Sequence, residues 1–316
     1  MSSLAGVDAE VDAEVGAGAV RVPEELAKSQ ARYNGDAGRA FVAALPGLAA
    51  RFLDRWGLRR TGPSMYGVAS LVLPVIRTSD GVRAALKMQL LDEESAGEAV
   101  GLRAWDGRGA VRLLDEDPET GTLLLERLDE TRHLSALGDP REATRIMAEL
   151  LARLVAVPAP EGLRGLGDIA ARMLEDVPGA AVRLGARDAA VLRDCAAAVR
   201  EVVGEPGDRL LHWDLHVDNV LAAEREPWLA IDPKPLAGDP GFDLLPALTS
   251  DSAREPAETL WRFDLMTEVL GLDRGRAVAW TLGRVLQNGL WDVEDGEDAL
   301  DEEQVSIART LLARSS

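Results

Sequence analysis

The feature that most restricts how this chain can fold is a change of hydrophobic period near residue 128. From about residue 61 up to it, apolar runs are short and end at Gly, Asp or Pro-Glu-Thr-Gly turns. Beyond it, apolar residues recur at helical spacing, as over 140–157 and 187–203. Strands and helices segregated along one chain in this way predict an α+β protein: a small antiparallel-sheet lobe, then a larger and mostly helical lobe. No Gly/Ser-rich linker parts them, so the expected division is 21–128 and 129–316.

The period also sets the expected elements. Residues 21–60 read as helical, ending near Gly57. Strands are expected over 68–76 and 82–90, joined by a Ser79-Asp80-Gly81 turn. Asp92 opens a helix through about Trp105, with Glu93 and Glu94 in its first turn. Further strands are expected around 110–115 and over 122–128. Asp139-Pro140-Arg141-Glu142 reads as a helix start, with the cap, the proline and the acid each in its place. The stretch 210–235 interrupts the helices as loop, strand, tight turn at Glu224–Pro227, and strand. Residues 1–20, with a doubled VDAE and no aromatic, read as a disordered acidic tail outside the fold.

Charge removes whole classes of partner. Acidic residues number 54 against 35 basic ones, a net charge of −19, and nucleic acids and anionic membranes both require clustered cations. Cys195 is the only cysteine, which excludes an internal disulfide and a cysteine zinc cluster. No secretory signal opens the chain, and every apolar stretch is interrupted before the roughly eighteen residues of a membrane span. The expectation is a cytoplasmic protein without nucleic-acid or membrane partners, a monomer or weak homodimer.

Lysine is scarcer than charge alone requires. Only Lys28, Lys87 and Lys234 occur among the 35 basic residues. Where arginine supplies nearly every cation, a retained lysine marks a need for a compact point charge that a planar guanidinium does not meet. Lys28 reads as a surface residue. Lys87 is the only lysine of the sheet-rich region beyond residue 57, on a strand reading AALKMQL, and Glu98 follows eleven residues later in the next helix. Glu94 lies one turn earlier on the same expected face.

The densest chemistry is His212-Trp213-Asp214-Leu215-His216-Val217-Asp218-Asn219, with Ile231-Asp232-Pro233 after a hairpin. An Asp, an Asn five residues on, and another Asp on the returning strand match what phosphoryl transfer requires. One carboxylate orients an acceptor hydroxyl and takes its proton. An amide oxygen and a second carboxylate hold Mg²⁺ against nucleotide phosphates. The hairpin is expected to bring Asp232 back to Asn219.

This string, together with WLAIDPKPLAGDPGFDLLPAL, resembles the aminoglycoside-phosphotransferase branch of the protein-kinase-like fold. More narrowly, it is similar to the aminoglycoside/hydroxyurea antibiotic resistance kinases over about residues 40–310. The resemblance implies a bilobal kinase using ATP and Mg²⁺, with Asp214 as catalytic base and Asn219 and Asp232 as metal ligands. It implies Lys87 on the nucleotide phosphates with Glu98 as its partner, because an apolar-apolar-Arg-Ala-Trp run follows that glutamate. Trp213 departs from the glycine common in other antibiotic kinases and leaves substrate choice open. The implied acceptor is a hydroxyl of a small, cationic antibiotic-like molecule, such as a streptomycin-type aminoglycoside, or hydroxyurea. A metabolic kinase for an amino sugar is the alternative, and a nucleotide-binding pseudokinase a weaker one.

Further candidates follow from position. Gly62–Gly67 stands where a phosphate-covering loop belongs, with backbone amides from Ser64 to Gly67 available, though it lacks GxGxxG. Leu123–Leu128 would be the adenine-binding hinge, with Glu126 and Leu128 at its end. Lys234, Asp218 and His216 are candidate substrate contacts, while His212 and Asp243 read as residues that shape the loop. Gln287, Asn288, Trp291 and Asp292 form two i,i+4 pairs suited to a hydrogen-bonding, cationic acceptor. Eight acids occur in the twelve residues from Asp292 to Glu303, a solvated face or a means of concentrating a polycation. Trp261 and Trp280 are expected in the core.

Overall fold

The computed structural model describes residues 20–67, 69–249 and 255–315. The acidic run expected as a tail lies, apart from Val20, outside the described residues. The first helix, α1 (Glu24–Arg55), is broken at Gly35, whose φ of 53° and ψ of −126° fall where only glycine sits without strain. Past the break, Leu45, Ala49 and Phe52 form a fully buried stripe that covers one face of the following sheet.

That sheet is built from β1 (Leu58–Arg60), β2 (Met65–Tyr66), β3 (Ser70–Arg77), β4 (Arg83–Gln89), β5 (Leu113–Asp117) and β6 (Thr122–Glu126). Its order is β1-β3-β4-β6-β5, antiparallel throughout, with β2 alongside β3. Between β4 and β5 lies α2 (Glu98–Trp105), which starts six residues later than the sequence reading places it. Asp92 is the reason. Its carboxylate accepts the amides of Glu94 and Ser95, and Ser95 Oγ donates to the Leu90 carbonyl, so a capped turn and a 3₁₀ turn at Ser95–Gly97 take the place of the first helical turn. Likewise β5 begins only at Leu113, because Val111 donates to the Ala230 carbonyl.

After β7 (Asp129–His133) the chain turns helical. Asp139 caps α3 (Pro140–Val155) through the amides of Arg141 and Glu142. Then come β8 (Arg164–Gly165), α4 (Leu166–Ala181), α5 (Ala186–Val202) and β9 (Arg209–Leu211). The next hairpin, β10 (Val220–Ala222) and β11 (Trp228–Ala230), joins β7 in a separate three-stranded sheet of order β11-β10-β7. β12 (Leu236–Gly238) runs between β8 and β9. The remainder is α6 (Leu245–Leu248), α7 (Pro256–Leu270), α8 (Arg274–Glu294) and α9 (Glu302–Ser315). Trp280 is fully buried on α8, whereas Trp261 is half-buried, with the guanidiniums of Arg141 and Arg145 at 4.6 and 5.8 Å from its ring.

The chain forms two compact units that are not the contiguous spans expected from composition. One takes the chain up to Ala136 together with Asp218–Ile231; the other takes Leu137–Val217 and Asp232–Ser316. Pairing of β10 with β7 is what carries residues 218–231 back into the first unit. No helix among the described residues is long and apolar enough to cross a membrane.

One arginine fastens that hairpin. Arg225 Nη1 donates to the Gly107 carbonyl at 2.6 Å, and Nη2 to the Ala110 carbonyl at 2.8 Å. Its Nε and Nη2 hold the Glu126 carboxylate, and Nη1 also reaches Glu226. An ammonium cannot span this set. Arg225→Lys is therefore expected to lower unfolding stability by about 2 kcal/mol in a denaturant titration, and a loss under about 0.5 kcal/mol would show that the hairpin is held by its apolar strands alone.

Candidate active site

Alternation along β4 puts Lys87 and Gln89 on one face of the strand, toward Glu98 in the first turn of α2. Lys87 Nζ lies 2.7 and 2.8 Å from the two Glu98 oxygens, and Gln89 Nε2 donates to Oε2 at 2.6 Å. All three are buried. A buried lysine needs a partner of this quality, since an unpaired charge out of water is severely destabilising. Glu94, the other sequence candidate, lies outside α2, just before the 3₁₀ turn at Ser95–Gly97. Gln89 escaped the sequence reading, although its position two residues from Lys87 was available as a signal.

Other candidates of the first unit have defined partners. The Gly67 amide donates to the Ser70 carbonyl at 3.0 Å, so it is committed to a turn instead of facing a phosphate; Ser64 is half-buried just before β2. Glu126 is committed too. Its amide donates to the Arg112 carbonyl, and its carboxylate holds Arg225 and the Arg112 amide. Leu128 follows β6 and is buried. Asn219 is buried immediately before β10, and its carbonyl accepts the Ile231 amide at 2.9 Å. The hairpin thus returns the chain to Asn219 at the residue before Asp232. His133 Nδ1 donates to the Asp218 carbonyl at 3.1 Å.

In the second unit a single carboxylate shapes the loop after β9. Asp243 accepts the His212 amide at 2.8 Å and the Trp213 amide at 2.6 Å. Burial pushes its carboxyl up to about 7, against the opposing pull of those two amides and of the Arg284 charge. His212 is fully buried and its Nδ1 accepts the Asp214 amide at 3.4 Å. The Asp214 carbonyl accepts the His216 amide, and Lys234 Nζ stands 3.6 Å from Asp214 Oδ2. The Lys234 amide in turn donates to the His212 carbonyl at 3.0 Å. Trp213 and Asp232 are two of the three non-glycine residues with positive φ among those described, at 68° and 57°. Such backbones persist only where their surroundings over-determine them, as at ligand-binding sites.

The four α8 candidates separate. Gln287 is buried and accepts the Trp213 indole N–H at 3.2 Å, while Asn288 donates to Gln304 of α9 at 2.9 Å. Trp291 is exposed and Asp292 half-buried. Burial raises the Asp292 carboxyl above its ordinary range, and nearby Asp301, Glu297 and Asp295 act in the same direction. The acidic run is not one helical face: it spans the end of α8, a connecting loop and the start of α9.

The two residues expected from the sequence to hold a metal, Asn219 and Asp232, carry an amide oxygen and a carboxylate and fall in different compact units. Both are hard oxygen ligands, and Mg²⁺ characteristically takes one or two carboxylates from protein and completes its shell with phosphate oxygens and water. No group of three or more His, Cys, Asp or Glu placed for a metal occurs among the described residues, so no competing all-protein cage is present there.

The family model for aminoglycoside/hydroxyurea antibiotic resistance kinases matches residues 55–296. A hydroxyurea phosphotransferase of Kitasatospora aureofaciens is 64% identical over 299 residues, covering 94% of this chain and 87% of that protein. A streptomycin 6-kinase of Streptomyces glaucescens is 59% identical over 299 residues, covering 92% and 97%. Among solved structures, an aminoglycoside phosphotransferase in ternary complex with ADP and hygromycin B superposes with a TM-score of 0.57 at 14% identity, covering 84% of this chain and 98% of that one. That likeness fixes the fold as protein-kinase-like.

The Asp243 carboxyl makes stability depend on pH in a direction opposite to that of most carboxylates. The folded chain keeps this proton at pH values where the unfolded chain has released it. The contribution is therefore greatest in acid and is lost as the pH rises from the ordinary carboxylate range toward about 7. Asp243→Asn removes the dependence. The thermal midpoint of the native chain minus that of Asp243→Asn should fall between about pH 5 and about pH 7 and level off above; a difference that grows with pH would contradict the assignment.

Proposed function

The chain belongs to the aminoglycoside/hydroxyurea antibiotic resistance kinase family, and from that membership we propose that it moves the γ-phosphoryl group of ATP onto a hydroxyl of streptomycin or hydroxyurea. As a member it is a phosphotransferase acting on hydroxyl groups. The observation that carries the assignment of roles is the constrained loop at Asp214, held through the Asp243 bonds to the two preceding amides.

Asp214 would accept the acceptor hydroxyl's proton as the oxygen bonds to phosphorus and the bond to the departing ADP breaks. Transfer of this kind is mainly positioning and charge stabilisation, so the base needs an accurate place more than a high basicity. Lys87 would hold the nucleotide phosphates as a point cation, with its own position set by Glu98 and Gln89. Lys234, 3.6 Å from Asp214, would offset negative charge gathering on the transferred group. Asn219 and Asp232 would hold Mg²⁺, which when bound neutralises phosphate charge and orients the phosphates. The acidic run of Asp292–Glu303 supports a cationic acceptor of the streptomycin type.

Two measurements test this. Asp214→Asn keeps the side chain's shape and loses its basicity, so kcat should fall by about 10²–10⁴ while KM for ATP changes less than about two-fold. Retained turnover, or parallel loss of kcat, nucleotide affinity and thermal midpoint, would remove Asp214 from the reaction. Incubation with ATP, Mg²⁺ and either streptomycin or hydroxyurea should yield a phosphate ester visible by phosphorus NMR. Transfer to an amino sugar in preference to both would overturn the acceptor assignment. Lys87→Arg should raise KM for ATP by about ten-fold or more, because a planar fork does not fit between Glu98 and a phosphate; unchanged ATP kinetics would place Lys87 outside nucleotide binding.

A further inference from the structure

A tryptophan at a left-handed φ is costly, and the same φ is free to glycine. Trp213 nevertheless occupies this position directly before Asp214, and its surroundings leave its side chain almost no freedom. It is 1% exposed. The indole N–H donates to Gln287 Oε1 at 3.2 Å. Guanidinium carbons of Arg164 from β8 and Arg284 from α8 lie 4.5 and 5.0 Å from its ring centroid, within range of a cation–π attraction. The Trp291 ring lies 5.9 Å away, tilted by 50°.

Arg284 has a further part in this arrangement. It is buried, and it donates to the same Gln287 oxygen at 2.5 Å. Its charge also acts on Asp243, the carboxylate that binds the Trp213 amide. Arg284, Gln287 and Trp291 fall at i, i+3 and i+7 on one face of α8, so a single helical face meets the indole.

We propose that Trp213 is a positioning residue for Asp214, locked by Arg284, Gln287 and Arg164, so that packing of an indole sets the direction of the catalytic carboxylate. Glycine reaches the same φ and also many others, leaving the next residue free to wander. A clamped indole has one orientation, hence one φ and ψ, hence one place for Asp214. A tryptophan that merely filled the core could do so from an unstrained backbone. This inference rests on the reading of Asp214 as the base.

The test uses the full chain with kcat, KM for ATP and thermal midpoint for Trp213→Leu, Trp213→Phe, Arg284→Met and the Trp213→Leu/Arg284→Met double variant. Trp213→Leu and Arg284→Met should each lower kcat by about ten-fold or more, with KM for ATP within about two-fold. Trp213→Phe, which keeps an aromatic face for the guanidiniums, should recover kcat to within about three-fold of the native chain. The double variant should be no slower than the worse single one, because both changes break the same contact. Should Trp213→Leu not fold, Trp213→Met with Arg284→Met carries the same comparison, since it too removes the aromatic face. Native kcat in Trp213→Leu and Arg284→Met, equal impairment of Leu and Phe variants, or losses that multiply would each overturn the inference. Asp214→Asn measured alongside separates the two levels: its collapse with native turnover at Trp213 and Arg284 sinks positioning only, whereas its retained turnover sinks both.

Discussion

Burying a charge obliges a protein to surround it, and much of this chain's architecture answers that demand at Lys87 and Glu98. Both are almost wholly removed from water. Their contact requires β4 inside its sheet, with β3 on one side and β6 on the other, and requires α2 to begin at Glu98. The late start of α2 follows: the capped turn from Asp92 to Gly97 delivers Glu98 to the first helical turn, where a carboxylate also suits the helix dipole. Gln89 adds a second donor to Oε2, which Lys87 already contacts.

In the second unit the equivalent demand falls on backbone amides. Asp243 spends its carboxylate on two successive N–H groups, which fixes the course of the chain. Positive φ at Trp213 and Asp232 brackets the segment in which the candidate base, amide and carboxylate occur. Strain of this sort survives because side chains hold it, and the buried guanidinium of Arg284 is the clearest example.

Legibility in the sequence followed how local each cause was. The string 212–219 could be read because its residue types are dense and few other chemistries need them together. Lys87 could be read because lysine is rare here. Gln89 and Arg284 were not read, since a glutamine and an arginine carry little signal until a strand or helix supplies their neighbours. Helix α4 was missed although Leu166, Ile169, Ala170, Met173 and Val177 form a buried stripe, because Pro178 and two glycines obscure the pattern. The division of the chain differs for another reason: pairing of β7 with β10 joins Leu221 to His133 and Ala222 to Asp129, residues far apart in sequence, and composition has no access to that.

That pairing has a consequence for how such a protein can be recombined. The first unit is assembled from two separated stretches, the chain up to Ala136 and the insert Asp218–Ile231. A crossover between homologous genes anywhere from residue 137 to 217 would therefore inherit one parent's long stretch and the other parent's insert. Arg225 of one lineage would then face Gly107, Ala110 and Glu126 of another. Chimeras that exchange the first unit need two matched cuts in addition to the main one, and single-crossover libraries should be depleted of breakpoints in this interval.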